Sequence, residues 1–134
     1  MKSKIIILVM LFITFFSCRN EDNEETNISE NTVQTDIQLI QFHTEHRCVT
    51  CNNIEKLSKE TIKGNEAISF VLYNVDDEKN AKVAEQFEAS GTSLYLYNSK
   101  TKATKDLTEM AFKYAKNEGD KFKTELQKEI SAFK

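Results

Sequence analysis

The chain has 134 residues, enough for one compact domain and too few for two. Its 21 Asp and Glu outweigh 18 Lys and Arg, for a formal net charge of -3. That balance excludes the broad basic face that nucleic acid requires.

The N-terminal segment stands apart from the fold. Met1-Lys2-Ser3-Lys4 is a short basic region, and Ile5 to Phe16 is an apolar run. The run is far shorter than the ~20 residues of a membrane-spanning helix. Ser17-Cys18 follows, which is the layout of a secretory signal peptide over residues 1–17. Phe15-Phe16-Ser17-Cys18 resembles a bacterial lipoprotein lipobox of the variant type found in Bacteroidetes, with Phe where the usual box carries Leu and a small residue. The resemblance implies that Cys18 is diacylated and becomes the first residue of the mature protein. Loss of Lys2 and Lys4 leaves a formal charge of -5, so lipid chains rather than basic residues would hold the protein to a membrane.

Residues 18–36 read as the lipidated Cys and a disordered acidic tether. Glu21, Asp22, Glu24, Glu25, Glu30 and Asp36 face a single Arg, and almost nothing apolar is present. The folded domain is expected over 37–134. Ile37–His43 reads as a strand, and about Val49–Lys63 as a helix with Ile54, Leu57, Thr61 and Ile62 on one face and Gly64-Asn65 at its end. Ile68–Val75 is nearly apolar throughout, the pattern of a central strand covered on both faces. Asp76-Asp77-Glu78 predicts a helix to about Ala89 that buries Ala81, Ala84 and Phe87. Ser93–Tyr97 and Ala103–Leu107 read as a hairpin about Asn98–Lys102. Thr108 is a candidate cap for a helix with Met110, Phe112, Tyr114 and Ala115, interrupted at Asn117-Glu118-Gly119. Asp120 then opens a last helix with Phe122, Leu126, Ile130 and Phe133.

Cys48-Val49-Thr50-Cys51 falls where the first strand gives way to the first helix. A helix N-terminus offers unsatisfied N–H groups and partial positive charge, which stabilise a thiolate. A second thiol one turn on can close a disulfide and release product. With Cys18 taken by lipid, Cys48 and Cys51 are a lone close pair beyond the cytoplasm. The loop they close is too small to restrain the unfolded chain much, so the spacing favours redox or ligand work over stabilisation.

The order β-α-β-α-β-β-α(α) with this Cys pair at the first strand-to-helix junction resembles the thioredoxin-like proteins over about Ile37–Lys134. Gln41-Phe42-His43, Arg47-Cys48-Val49-Thr50-Cys51, Ile54-Glu55, Lys59-Glu60, Asp106-Leu107-Thr108 and Ala111-Phe112-Lys113-Tyr114-Ala115 are similar to the small bacterial thioredoxin-like group labelled ArsF, also described as a nitrophenyl compound nitroreductase subunit. No flavin-binding pattern is visible. The resemblance implies an α/β, three-layer thioredoxin-like fold, a central mixed sheet of about four strands flanked by helices. It departs from thioredoxin proper at four places. Arg47 replaces Trp, Val49-Thr50 replaces Gly-Pro, Phe42 stands where a buried acid is usual, and Gly91-Thr92-Ser93 stands where a cis-proline opens the third strand. A non-proline cis bond costs about 3 kcal/mol, so the Thr92–Ser93 peptide is expected to be trans. By alignment, Thr92 and Ser93 are supporting positions.

Three readings follow. In the first, Cys48 attacks a disulfide, Cys51 resolves the mixed disulfide, and Arg47 lowers the Cys48 pKa. In the second, His43, His46, Cys48 and Cys51 form His-x-x-His-x-Cys-x-x-Cys, a two-nitrogen, two-sulfur set for a metal or metalloid. In the third, the domain is a non-catalytic adaptor. The first is the one adopted: a monomeric, lipid-anchored thiol–disulfide oxidoreductase of the bacterial cell envelope, on the outer membrane and facing the periplasm or the surface. It needs no cofactor or metal. Its partners are protein or small-molecule thiols and disulfides, with an unidentified redox partner and no nucleic acid.

Overall fold

The structure, a computed structural model, describes residues 35–133. The expected signal peptide, the lipid attachment at Cys18 and nearly all of the tether lie outside those residues. Among the described residues no helix is long and apolar enough to cross a membrane.

The chain runs β1 (Ile37–His43), α1 (Val49–Ile62), β2 (Ile68–Asn74), a single 3-10 turn (Glu78–Asn80), α2 (Ala81–Gln86), β3 (Ser93–Asn98), β4 (Thr104–Asp106), α3 (Thr108–Ala115) and α4 (Gly119–Ala132). The strands form one sheet in the order β2-β1-β3-β4. β2 lies parallel to β1, as a helical crossover requires, with Ile37 opposite Ile68 and His43 opposite Asn74. β3 runs antiparallel to β1, and the short β4 antiparallel to β3. This mixed four-stranded α/β arrangement, with helices on the sheet faces, is thioredoxin-like.

Alternation along β1 divides the core. Leu39 joins Leu94, Leu96, Ile54, Ala111, Phe122 and Leu126 in a cluster under α1, α3 and α4. Ile40 and Phe42 point the other way and join Tyr95, Ala84 and Phe87. Phe42 is fully buried at the centre of an aromatic group, with ring centroids 5.6 Å from Tyr73, 5.5 Å from Phe87 and 5.9 Å from Tyr95. The position where an acid was sought is thus a packing residue. At the start of α4, Gly119 leaves room for α1: a Cβ there would come within 3.2 Å of Leu57 Cδ2.

Three expectations change. β2 is an edge strand rather than a central one, and from Phe70 onward it is only half-buried. An apolar run reports that both faces of a strand are covered, and carries no information about its edges. The helix expected to reach Ala89 shrinks to a 3-10 turn capped by Asp77 and six residues of α2. It stops because Glu88 adopts a left-handed φ of 52°, closing the turn on bonds from Glu88 N to Glu85 O and Ala89 N to Ala84 O. Ala81 is exposed on this shortened helix. Thr108 begins α3 but does not cap it. Its hydroxyl accepts from Leu94 N at 3.1 Å and its own N–H donates to Asp106 Oδ1 at 2.8 Å, so it ties α3 to the start of β3.

Because Phe42 anchors the cluster on one whole face, Phe42→Ala should cost about 3–5 kcal/mol of unfolding free energy in a urea titration. A loss below about 1 kcal/mol would mean that the aromatic group does not hold that face.

Candidate functional site

The site forms where β1 ends. The loop after it is pinned by bonds to the segment that follows β2: Val75 N donates to His43 O at 2.8 Å, and Glu45 N to Asp76 Oδ2 at 2.7 Å. Arg47 follows, and then Cys48, with φ -80° and ψ 166°, stands as the N-cap of α1. Its sulfur does the work that a Ser or Asp oxygen usually does, accepting from Cys51 N at 3.3 Å. The 14-residue helix therefore starts on a thiol.

The two sulfurs differ in setting. Cys48 is exposed and Cys51 is buried, both are free thiols, and their Sγ atoms lie 2.8 Å apart. Cys51 Sγ also lies 3.0 Å from Thr92 Oγ1, brought in by the turn before β3. Thr92 can donate to Cys51, Cys51 can donate to Cys48, and the Cys51 amide donates to Cys48 as well. Such a chain favours negative charge on Cys48. Its pKa is accordingly held below the ordinary thiol value, first by the Cys51 thiol and then by the Cys51 amide, against a smaller opposing effect of burial.

The supporting residues divide. Thr92 touches the site directly. Ser93 is buried next to it, and its hydroxyl donates to Gly91 O at 3.4 Å rather than to either sulfur. The Thr92–Ser93 peptide is trans. Arg47 does not act as expected: its guanidinium pairs with Glu55 Oε2 at 2.6 Å, and it has no part in lowering the Cys48 pKa. A carboxylate almost two turns into α1 holds that charge. Burial alone would raise the Glu55 pKa, but a hydrogen bond from Lys59 Nζ at 2.8 Å and the Arg47 pair outweigh it, and the net direction is down.

The four-ligand set is not gathered. Among the described residues no group of three or more His, Cys, Asp and Glu side chains is placed to hold a metal ion. His43 Nδ1 is engaged by the carbonyl of Thr44 at 2.8 Å, and His46 sits exposed in the loop.

One residue of the site escaped sequence reasoning. Gln41 is fully buried, and its Nε2 donates to the carbonyl of Cys51 at 3.0 Å. The available signal was a lone amide at the alternate position from Leu39, on a strand face otherwise given to core.

Comparison with solved structures finds similar folds at low identity. Mitochondrial thioredoxin 3 from Saccharomyces cerevisiae, in its oxidised form, is 18% identical over 75% of this chain and 81% of that one, with a TM-score of 0.49. A structure described as that of a malarial protein is 20% identical over 58% of this chain and 93% of that one, with a TM-score of 0.42. No protein-family model matches the sequence. No curated protein matches it.

Removing the Cys51 thiol should raise the Cys48 pKa towards the ordinary thiol value, because the largest stabilising donor is lost. The pH dependence of Cys48 alkylation in Cys51→Ala measures this, and an unchanged midpoint would refute the assignment. Glu55 gives a second test. Its folded-state pKa lies below the ordinary 4.5, so its stabilising contribution is complete above that value and is lost as pH falls through the lowered one. Glu55→Gln should therefore cost up to about 1 kcal/mol in urea unfolding at neutral pH, with the gap to wild type closing in acid.

Proposed function

We propose that this protein is a thiol–disulfide oxidoreductase of the bacterial cell envelope, working through Cys48 and Cys51. The observation that carries the reading is the asymmetric pair itself: an exposed sulfur that caps a helix, 2.8 Å from a buried one. Cys48 as thiolate attacks one sulfur of a partner disulfide R–S–S–R′. The Cys48–S–R bond forms, and R′–S⁻ leaves and takes a proton from solvent. Cys51 then loses its proton and attacks the Cys48 sulfur, forming the Cys48–Cys51 disulfide and releasing R–S⁻, which is protonated in turn. The dithiol gives up two electrons, and the partner's disulfide becomes two thiols. The same steps in reverse oxidise a partner dithiol.

Thr92 supports the second half of this exchange, because a hydroxyl 3.0 Å from Cys51 stabilises its thiolate as it forms. Around this core we place the rest of the reading. The protein is a monomer, synthesised with a signal peptide over 1–17, anchored by lipid on Cys18 and separated from the membrane by an acidic tether. It is similar to the ArsF-labelled lipoproteins. It faces the periplasm or the surface and meets protein or small-molecule thiols there.

The test is equilibration of the purified protein against glutathione mixtures after metal removal. A single reversible two-electron transition is expected in wild type, and none in Cys48→Ser. Thiols that stay inert, or that react only once a bound metal has been stripped, would overturn the reading in favour of an adaptor or a metal-binding protein.

A further inference from the structure

Gln41 is a large polar side chain in the core, and its bonding does not explain why it is there. It lies on β1 between Leu72 of β2 and Leu94 of β3, on the face shared with Leu39. The side chain is fully buried. The carbonyl it bonds, that of Cys51, lies inside α1, where the amide of Glu55 one turn on is its natural helical partner. The bond from Gln41 therefore rescues no orphan backbone group. Meanwhile Gln41 Oε1 is buried without a hydrogen-bond partner. An unpartnered buried acceptor is destabilising, and a leucine would avoid that cost.

What the amide does provide is a tether between the sheet and the residue that carries the second thiol. Cys51 Sγ must stay within reach of both Cys48 Sγ and Thr92 Oγ1, and these belong to different parts of the fold: the cap of α1 and the turn before β3. Gln41 on β1 fixes the backbone of Cys51 against the strand that pairs with β3. We infer that Gln41 is a positioning residue for the resolving step, holding Cys51 where it can attack the Cys48–S–R mixed disulfide. The inference rests on the exchange reading above. Once Cys48 is ionised, its attack needs only an exposed sulfur, which survives without Gln41. Resolution needs Cys51 in register with two other groups, and that register depends on the tether.

The experiment uses the full chain carrying a preformed mixed disulfide between Cys48 and glutathione, and follows glutathione release. In Gln41→Leu, release should slow by about tenfold, the kinetic equivalent of one hydrogen bond. Alkylation of Cys48 in the free dithiol, read at a pH high enough to ionise it fully, should stay within about twofold of wild type, well under the energy of one hydrogen bond. Gln41→Met, unbranched and without a donor, should behave the same way and serves if the leucine variant does not fold. A purely structural role would lower the thermal midpoint and move both rates together. Here the midpoint should hold or rise, since the orphan acceptor is gone. Release at the wild-type rate in a folded variant would overturn the role of Gln41 while leaving exchange intact. Wild-type protein that forms no mixed disulfide, or never releases glutathione from it, would overturn the exchange reading and this inference with it.

Discussion

The bond from the Cys51 amide to the Cys48 sulfur is the interaction on which the site depends. A helix must cap its first turn, and most do so with an oxygen that has no further chemistry. Here the cap is the reactive atom. The same contact starts α1 and lowers the Cys48 pKa. Structure and reactivity meet in one atom at this position. Cys48→Ser removes the reactivity and keeps a capping oxygen, whereas Cys48→Ala removes both.

The fold is arranged to keep that contact in place. Among the described residues, β1 is the only strand with a parallel neighbour on one side and an antiparallel one on the other, and its two faces feed two different clusters. One cluster seats α1 through Ile54 and Ile62, with α3 and α4 behind it. The other, around Phe42, stiffens the strand from below. The strand's end and the loop after it are then pinned by Val75 N donating to His43 O and by Glu45 N donating to Asp76 across the neighbouring turn. The Cys48 cap sits at the end of a strand held on every side, while the turn carrying Thr92 approaches from β3. The fold brings together three segments that are far apart in sequence.

Much of this was legible from residue patterns alone. The strand–Cys-x-x-Cys–helix junction, the four strands, and the core face of α4 through Phe122, Leu126 and Ile130 follow from periodicity and punctuation. What did not follow depended on neighbours that no local pattern records. The apolar run of β2 was compatible with a centre or an edge position. Arg47 read as a charge beside a thiol, but Glu55, almost two turns into the helix that follows, takes it. Thr108 has the composition of a cap, yet a strand amide uses its hydroxyl first. Gln41 sits in a run read simply as strand, and its significance lies in which helix carbonyl it reaches.

The two departures that weigh most against ordinary thioredoxin behaviour can be read together. The chain has no proline with which to shape the turn before β3, and it carries Phe42 where the thioredoxin pattern has an acid. In their place it puts a hydroxyl on Cys51 from one side and a neutral amide on the Cys51 carbonyl from the other. Neither group titrates near neutral pH, so neither can hold the proton that Cys51 must lose. Both can fix where Cys51 stands, and the hydroxyl can stabilise its thiolate by donating. That distribution puts chemical activation on the exposed cysteine, through the helix cap, and geometric control on the buried one. In the proposed exchange the proton of Cys51 therefore passes to solvent, since neither neighbour can take it.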